Sequence, residues 1–456
     1  MKGNMTQGSP FKLILAFSIP LLLGNLFQQF YNIVDTAIVG QTLGSVALAG
    51  VGSTTSVQFL VIGFCQGLTQ GFAILVAQRF GAKDIDDLRN YVFNSIVLTA
   101  IFAIVITALT VFLTPNILSL LSVNAEIYDY SYQYIVVIFM GIPCTLLYNY
   151  LSAILRAIGD SKTPFYFLAF SAILNIFLDF YCILVLNWGT AGAAIATVFS
   201  QGVSGILCLI LIISKFDTLH PKKENRKLSG KHIKALCANG LPMGFQMSII
   251  AIGSMVMQAA NNGLGTVYVS AFASGAKIKQ LMMCPFDAFG GACSTFLSQN
   301  YGALKMDRIK EGFKTSLEIT LVYGIFAGVI LFLFGRNLSM LFLKADETLA
   351  LDASYKYLRR MGYFYTILGS VVITRMALQG LGYSFRAVVA GIIEMIARTI
   401  VSFTFVSKFG FDAITFTDQV AWITALMYLL PMFIYSYKHV SRTIEFDKKY
   451  MEKTSD

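Results

Sequence analysis

Twelve stretches of this chain are long and apolar enough to cross a bilayer: 13–39, 48–77, 92–113, 131–154, 164–186, 192–214, 236–260, 266–297, 312–334, 355–379, 388–407 and 419–437. A spanning helix needs about 20 largely apolar residues. Helices and closed barrels alone satisfy the backbone polar groups in hydrocarbon. The pattern therefore predicts an all-α membrane protein of twelve transmembrane helices. Composition points the same way. Only 13% of the 456 residues are charged and 56% are hydrophobic, whereas a soluble domain carries about 25% charged residues. The lipid bilayer is then the solvent.

The net charge of +10 does not suggest nucleic acid, because the basic residues gather in alternate short loops. Arg79, Lys83 and Arg89 form one group, Arg156 and Lys162 another, and Lys222, Lys223, Arg226 and Lys227 a third. The intervening loops hold Arg336, Lys344, Lys356 and Lys408. Cytoplasmic loops carry the excess of Lys and Arg. Both termini are therefore expected in the cytoplasm, with the chain a multi-pass protein of the inner (plasma) membrane. The cysteines show no C-x-x-C spacing and the histidines form no cluster. No disulfide framework, metal centre or enzyme site is expected, and no cofactor. No G-x-x-x-x-G-K-[ST] loop is present, so ATP dependence is not expected either.

The chain repeats itself. QRFGA at 78–82 returns as QNYGA at 299–303, LGSVALAG at 43–50 as LGTVYVSA at 264–271, and LRAIGDS at 155–161 as LQGLGYS at 378–384. Pro20 and Pro242 stand at matching places. The one substantial hydrophilic connection, 215–234, lies near the middle. The expected organisation is an N-terminal six-helix lobe over 1–214, a cytoplasmic linker over 215–234, and a C-terminal six-helix lobe over 235–456 with a short cytoplasmic tail. An even number of spans per half gives both halves the same orientation. Transporters of that plan bind substrate between their halves.

At VDTAIVGQTLG (34–44), QRFGA (78–82), LRAIGDSKTP (155–164), LNIFLDFYCI (174–183) and CPFDAFGGACSTFLSQNYGA (284–303) the sequence resembles the multidrug and toxic compound extrusion (MATE) transporters over essentially its whole length. The resemblance implies a V-shaped pair of helical bundles around a central cavity, and export of amphipathic organic cations in antiport with H+ or Na+. A second reading is a lipid-linked oligosaccharide flippase of related architecture. Such a flippase would favour a larger, more basic cavity and extra helices. One chain contains both lobes, so a monomer suffices.

An ionisable group inside an apolar span costs about 2.5–3.5 kcal/mol on insertion scales and is a functional candidate by default. Asp35 lies in the first span with Gln28, Tyr31 and Asn32 at i−7, i−4 and i−3, one stripe of a helix. Asp179 lies in the fifth span with Asn175 at i−4 and Ser171 at i−8. The sixth span offers Thr197, Gln201 and Ser204. Asp35, Asp179 and Asn175 are expected to form a cation site in the N-terminal lobe, and the resemblance supports the same pair of aspartates. Buried carboxyls can carry a proton, or with amide and hydroxyl oxygens they can ligate Na+. The plain alternative is interhelical hydrogen bonding. Aligning the halves sets Val256 or Met257 opposite Asp35 and Ser402 opposite Asp179, so the second half lacks both carboxyls. Its own charges include Glu394 and Arg398 at i, i+4, read as an intrahelical pair, and Asp287, read as a partner for a cationic substrate or a lysine. Lys277 and Lys279 are expected to snorkel to the outer interface. Flexible methionines such as Met257 and Met283 are candidates for the substrate wall.

Overall fold

The computed structural model describes residues 3–455, and their side chains as far as Glu445. Among the described residues the regular structure is helical throughout: α1 (Pro10–Ala82), α2 (Ile85–Leu120), α3 (Ala125–Met140), α4 (Ile142–Ala157), α5 (Lys162–Phe180), α6 (Gly189–Lys215), α7 (Gly230–Asn262), α8 (Thr266–Gly302), α9 (Met306–Ser339), α10 (Thr348–Gly362), α11 (Tyr365–Gly380), α12 (Ser384–Ile400), α13 (Val406–Phe409) and α14 (Phe411–Ser455). Eight helices are individually long and apolar enough to cross a bilayer. The pairs α3–α4 and α10–α11, bent by 47° and 56°, each make one more pass. α1 is two helices in one, broken at Gly44 (φ 88°, ψ 178°). α8, 37 residues long, completes the twelve. The fourth and tenth spans, expected as single runs, are thus broken helices, with Pro143 just past the first break.

The sequence repeat returns in the backbone. Gly44 and Gly265 both take φ near +90° to +100° with extended ψ, a conformation open to glycine and strained for other residues. Lys83 and Leu304 are left-handed (φ 59° and 56°) where QRFGA and QNYGA end, each 221 residues apart like the two glycines. There the Asp84 N–H donates to Arg79 O at 3.2 Å and the Lys305 N–H to Asn300 O at 3.0 Å, the helix-closing bond of a Schellman turn. Gly159 and Gly382 (φ 87° and 86°), and Gly189 and Gly410 (φ 56° and 57°), pair in the same way. A π-helical turn closes the corresponding helices at Tyr181–Val185 and Val401–Phe405.

Packing divides the chain inside helices and not at the connecting loop. Among the described residues one compact unit holds Ile19–Ser248 with residues 3–4; the other holds Met5–Ser18 with residues 249–455. The hydrophilic stretch 215–234, expected as a linker, is ordered against α2 within the first unit. The Arg89 guanidinium donates to Asp217 O at 2.9 Å and Oδ2 at 3.1 Å. Asn94 donates to Lys227 O at 3.1 Å and accepts from the Ser229 N–H at 3.0 Å. His232 Nε2 lies 2.7 Å from Asp87 Oδ1.

The first part of α7 belongs to the first unit because glycines let two backbones meet. A Cβ at Gly67 would stand 2.3 Å from Met243 O, and one at Gly71 would stand 2.5 Å from Gly240 Cα. Small residues at helix contacts permit this approach in membranes, where van der Waals packing replaces the hydrophobic drive. Gly71→Ala is therefore expected to cost about 1–3 kcal/mol by overpacking. Gly52→Ala, at an exposed helical glycine with open space around it, should be neutral or mildly stabilising. Thermal unfolding of the two purified variants in detergent checks the contrast; equal midpoints would refute the close α1–α7 contact.

Candidate functional site: a buried carboxyl pair

Three helices of the first unit deliver the site. On α5, Ser171, Asn175 and Asp179 repeat at four-residue spacing and all are buried. On α1, Asp35 is buried and Tyr31, one turn earlier, leans toward α6, its hydroxyl 3.2 Å from Thr197 Oγ1. The side chains of Asp35 and Asp179 meet within hydrogen-bonding reach of each other. Asn175 joins them. With its amide nitrogen turned to Asp179 it donates to Oδ2 at 3.0 Å and accepts from the Thr197 N–H at 3.1 Å. In the opposite orientation its nitrogen reaches Thr197 Oγ1 at 3.3 Å.

The electrostatics are unusual. Among the described residues no Lys, Arg or His pairs with either carboxyl, and their charged surroundings amount to each other. Oδ1 of Asp35 and Oδ1 of Asp179 are both buried without a hydrogen-bond donor. Two carboxylates cannot hydrogen-bond each other unless a proton lies between them, and like charges this close do not both stay ionised unaided. The pair therefore calls for one mobile positive charge. Nearby oxygens come from Tyr31, Thr197 and, on α3, Tyr134, which lies beside Gln58 of α1. A cavity of about 40 Å3 adjoins them, lined by Gln58, Thr145, Thr197 and Gln201 against Ile62 and Ile138. It can hold a water or a small ion, but sites for drug-sized ligands run to about 300–1,000 Å3.

Other expected site residues fall elsewhere. Gln28 is half-buried, and Asn32 is exposed, its carbonyl accepting from Thr36; the stripe on α1 divides, and Tyr31 alone joins the aspartates. Gln201 accepts from Thr145 Oγ1 at 2.6 Å. Met257 is packed in the core of the second unit, 2% exposed, so it is no wall of an open site; Met283 is half-buried. Tyr134 and Gln58 were missed because a tyrosine or glutamine in an apolar span reads as an interface residue.

In the second unit the pair Glu394–Arg398, 3.4 Å apart, is one link of a longer chain. Arg375 also binds Glu394. Arg398 Nε lies 3.1 Å from Asp418 Oδ1, and Lys279 Nζ lies 2.6 Å from Asp418 Oδ2. The Tyr357 hydroxyl donates to the same oxygen at 3.1 Å. Lys279 thus does not snorkel: an acid buried on α14 holds it inward, which no spacing within α8 could reveal. Lys277 lies over the Phe342 ring. Asp287 is exposed and forms no ion pair among the described residues; the charge that acts on it is Arg375 and not a lysine.

A duplicated, twelve-pass helical chain with an uncompensated carboxyl pair inside one repeat defines a membrane transporter of the two-lobed class. The chain belongs to the MatE family, whose model matches both halves separately, over residues 20–181 and 242–404; it is a multi-pass membrane transporter and not an enzyme. It is 28% identical to the probable multidrug resistance protein YpnP of Bacillus subtilis, over 86% of this chain and 87% of that one. It is 25% identical to an FAD transporter of Shewanella oneidensis, over 80% and 81%. An outward-facing multidrug resistance MATE family transporter of the MOP superfamily shares its fold, with TM-score 0.89 and 22% identity over 97% and 98% of the two chains.

The two buried clusters should respond unequally to neutralisation. Removing one partner of a buried ion network leaves an uncompensated charge and costs about 3–5 kcal/mol, so Arg398→Met should destabilise strongly. Asp35→Asn removes a charge that has no counter-ion and should change stability by less than about 1 kcal/mol. Chemical or thermal unfolding of purified protein measures both; a larger loss in Asp35→Asn than in Arg398→Met contradicts the assignment.

Proposed function

We propose that the protein exports organic cations from the cell by antiport with H+ or Na+, with Asp35 and Asp179 carrying the coupling ion and Asn175 orienting Asp179. The observation that carries this reading is the pair of facing carboxyls with no counter-charge. Such a pair is stable only with one positive charge, and which side of the membrane supplies it can depend on the conformation of the lobes. A ligand shifts a conformational equilibrium only by its differential affinity for the two states, and a bound ion at this pair supplies one. The family's expected cycle has two lobes alternating access to a central cavity, with both termini in the cytoplasm of the plasma membrane and a monomer as the working unit. The Lys and Arg bias of the loops supports that orientation. The name of the Bacillus relative and the description of the solved transporter support drugs as cargo. The Shewanella relative is called an FAD transporter, so cargo charge belongs in the test.

Uptake of a fluorescent organic cation and of a flavin nucleotide into proteoliposomes, with proton and sodium gradients imposed separately, tests the reading. The cation should move, driven by one of the two gradients, and Asp35→Asn or Asp179→Asn should reduce driven transport at least about tenfold, the effect of losing about 1.4 kcal/mol of ion coupling, while the proteins insert and fold normally. Full-rate uphill transport by either variant would overturn the role of the pair; transport of the flavin alone would overturn the cargo.

A further inference from the structure

The repeat places the two buried clusters on one another. At an offset of 221, fixed by Gly44/Gly265 and Gly189/Gly410, Gln58 corresponds to Lys279 and Thr197 to Asp418. At an offset of 223, fixed by Gly159/Gly382 and by the starts of α3 and α10 at 125 and 348, Tyr134 corresponds to Tyr357 and Asn175 to Arg398. The contacts correspond as well as the positions. Asn175 faces Thr197 in the first unit as Arg398 faces Asp418 in the second. Each tyrosine lies beside a member of its own cluster, Tyr134 beside Gln58 and Tyr357 bonded to Asp418. What differs is the source of charge. The first unit has two acids, at 35 and 179, among neutral partners. In the second the matching stretches, 256–257 and 399–402, hold no acid, and the neutral partners have become Lys279, Arg398 and Asp418.

We infer that the Lys279 ammonium is a tethered counter-ion, standing in a repeat-related cation site of the second unit and closing it to mobile ions. In the chain of contacts Lys279, Arg375 and Arg398 stand against Glu394 and Asp418, and Asp418 holds Lys279 at Oδ2 and Arg398 at Oδ1. Taking the ammonium away leaves Asp418 Oδ2 without a cation, beside the Tyr357 hydroxyl, while Arg398 stays on Oδ1. The first unit likewise presents carboxyl oxygen without a counter-charge. The inference rests on reading the Asp35–Asp179 pair as a cation site, and it explains why coupling is confined to one unit. The duplicated site was filled by a side chain in place of an ion.

The test removes the tether in full-length protein carrying Asp35→Asn and Asp179→Asn, so that the first unit cannot respond to ions. Lys279→Gln installs the residue that the repeat has at Gln58. Its unfolding midpoint should fall, then rise by about 2–4 °C as NaCl or LiCl replaces choline chloride at constant ionic strength, whereas the Lys279 parent should show no such rise. The further change Asp418→Asn, which removes the uncovered carboxylate, should recover stability and abolish the sodium response. If Lys279→Gln folds only in sodium, or cannot be purified while the Lys279→Gln/Asp418→Asn protein can, the tethered charge is likewise supported. An ion-insensitive Lys279→Gln protein that does fold overturns the inference, as does a double change no more stable than the single, or failure of both to fold. A sodium-responsive Lys279 parent overturns it too. Since the readout is stability and the first unit is silenced, none of these outcomes depends on whether Asp35 and Asp179 drive transport.

Discussion

A charge in hydrocarbon must find its opposite, and each half of this protein meets that demand differently. The second unit meets it internally: lysine, arginine, aspartate and glutamate from α8, α11, α12 and α14 pair with one another along a continuous chain of contacts. The first unit leaves it unmet. Asp35 and Asp179 face each other with only neutral groups around them. Buried ion networks give little net stability, because desolvation offsets the attraction, but breaking one is costly. Such a network suits a scaffold that does not exchange ions. An uncompensated acid pair suits the opposite task, since its charge balance must be completed from the aqueous phase.

The surrounding architecture serves that difference. Buried serines, threonines and tyrosines satisfy one another and nearby carbonyls, as Ser95 does with Tyr150 at 2.7 Å and Ser339 with Ser354 at 2.8 Å. Such bonds are worth about 0.6 kcal/mol each on average inside membranes, so they fix register more than they add stability. Breaks at Gly44, between α3 and α4, and between α10 and α11 interrupt otherwise long helices. Backbone irregularity at membrane depth is tolerated where it is buried in protein or lines a cavity. The π-helical turn directly after Asp179, repeated at 401–405, is one such irregularity beside the site.

Much of this was legible in the residues. Asp35 and Asp179 stood out because a lone acid in an apolar span is expensive, and Asn175 because it shares a helix face with Asp179. The repeat was visible in short motifs whose glycines and helix-ending turns recur in the backbone. The partners of Lys279 were not legible. Its acid lies 139 positions away on α14, a separation to which helical periodicity is blind. The same blindness hid Tyr134 and Gln58, which matter only through what they face, and it placed Met257 on a cavity wall when packing encloses it. Sequence also set the division of the chain at its hydrophilic loop. Packing sets it inside α1 and α7, because glycines at 67, 71 and 240 allow helix backbones to touch.

Sequence by itself determined the solvent, the number of passes, the duplication and the two acids, because each follows from composition or from spacing along a helix. Tertiary structure alone decided which charges are compensated. Compensation is a matter of a few ångströms between helices far apart in the chain, and it separates the acid pair that still needs a cation from the acid that already holds a lysine.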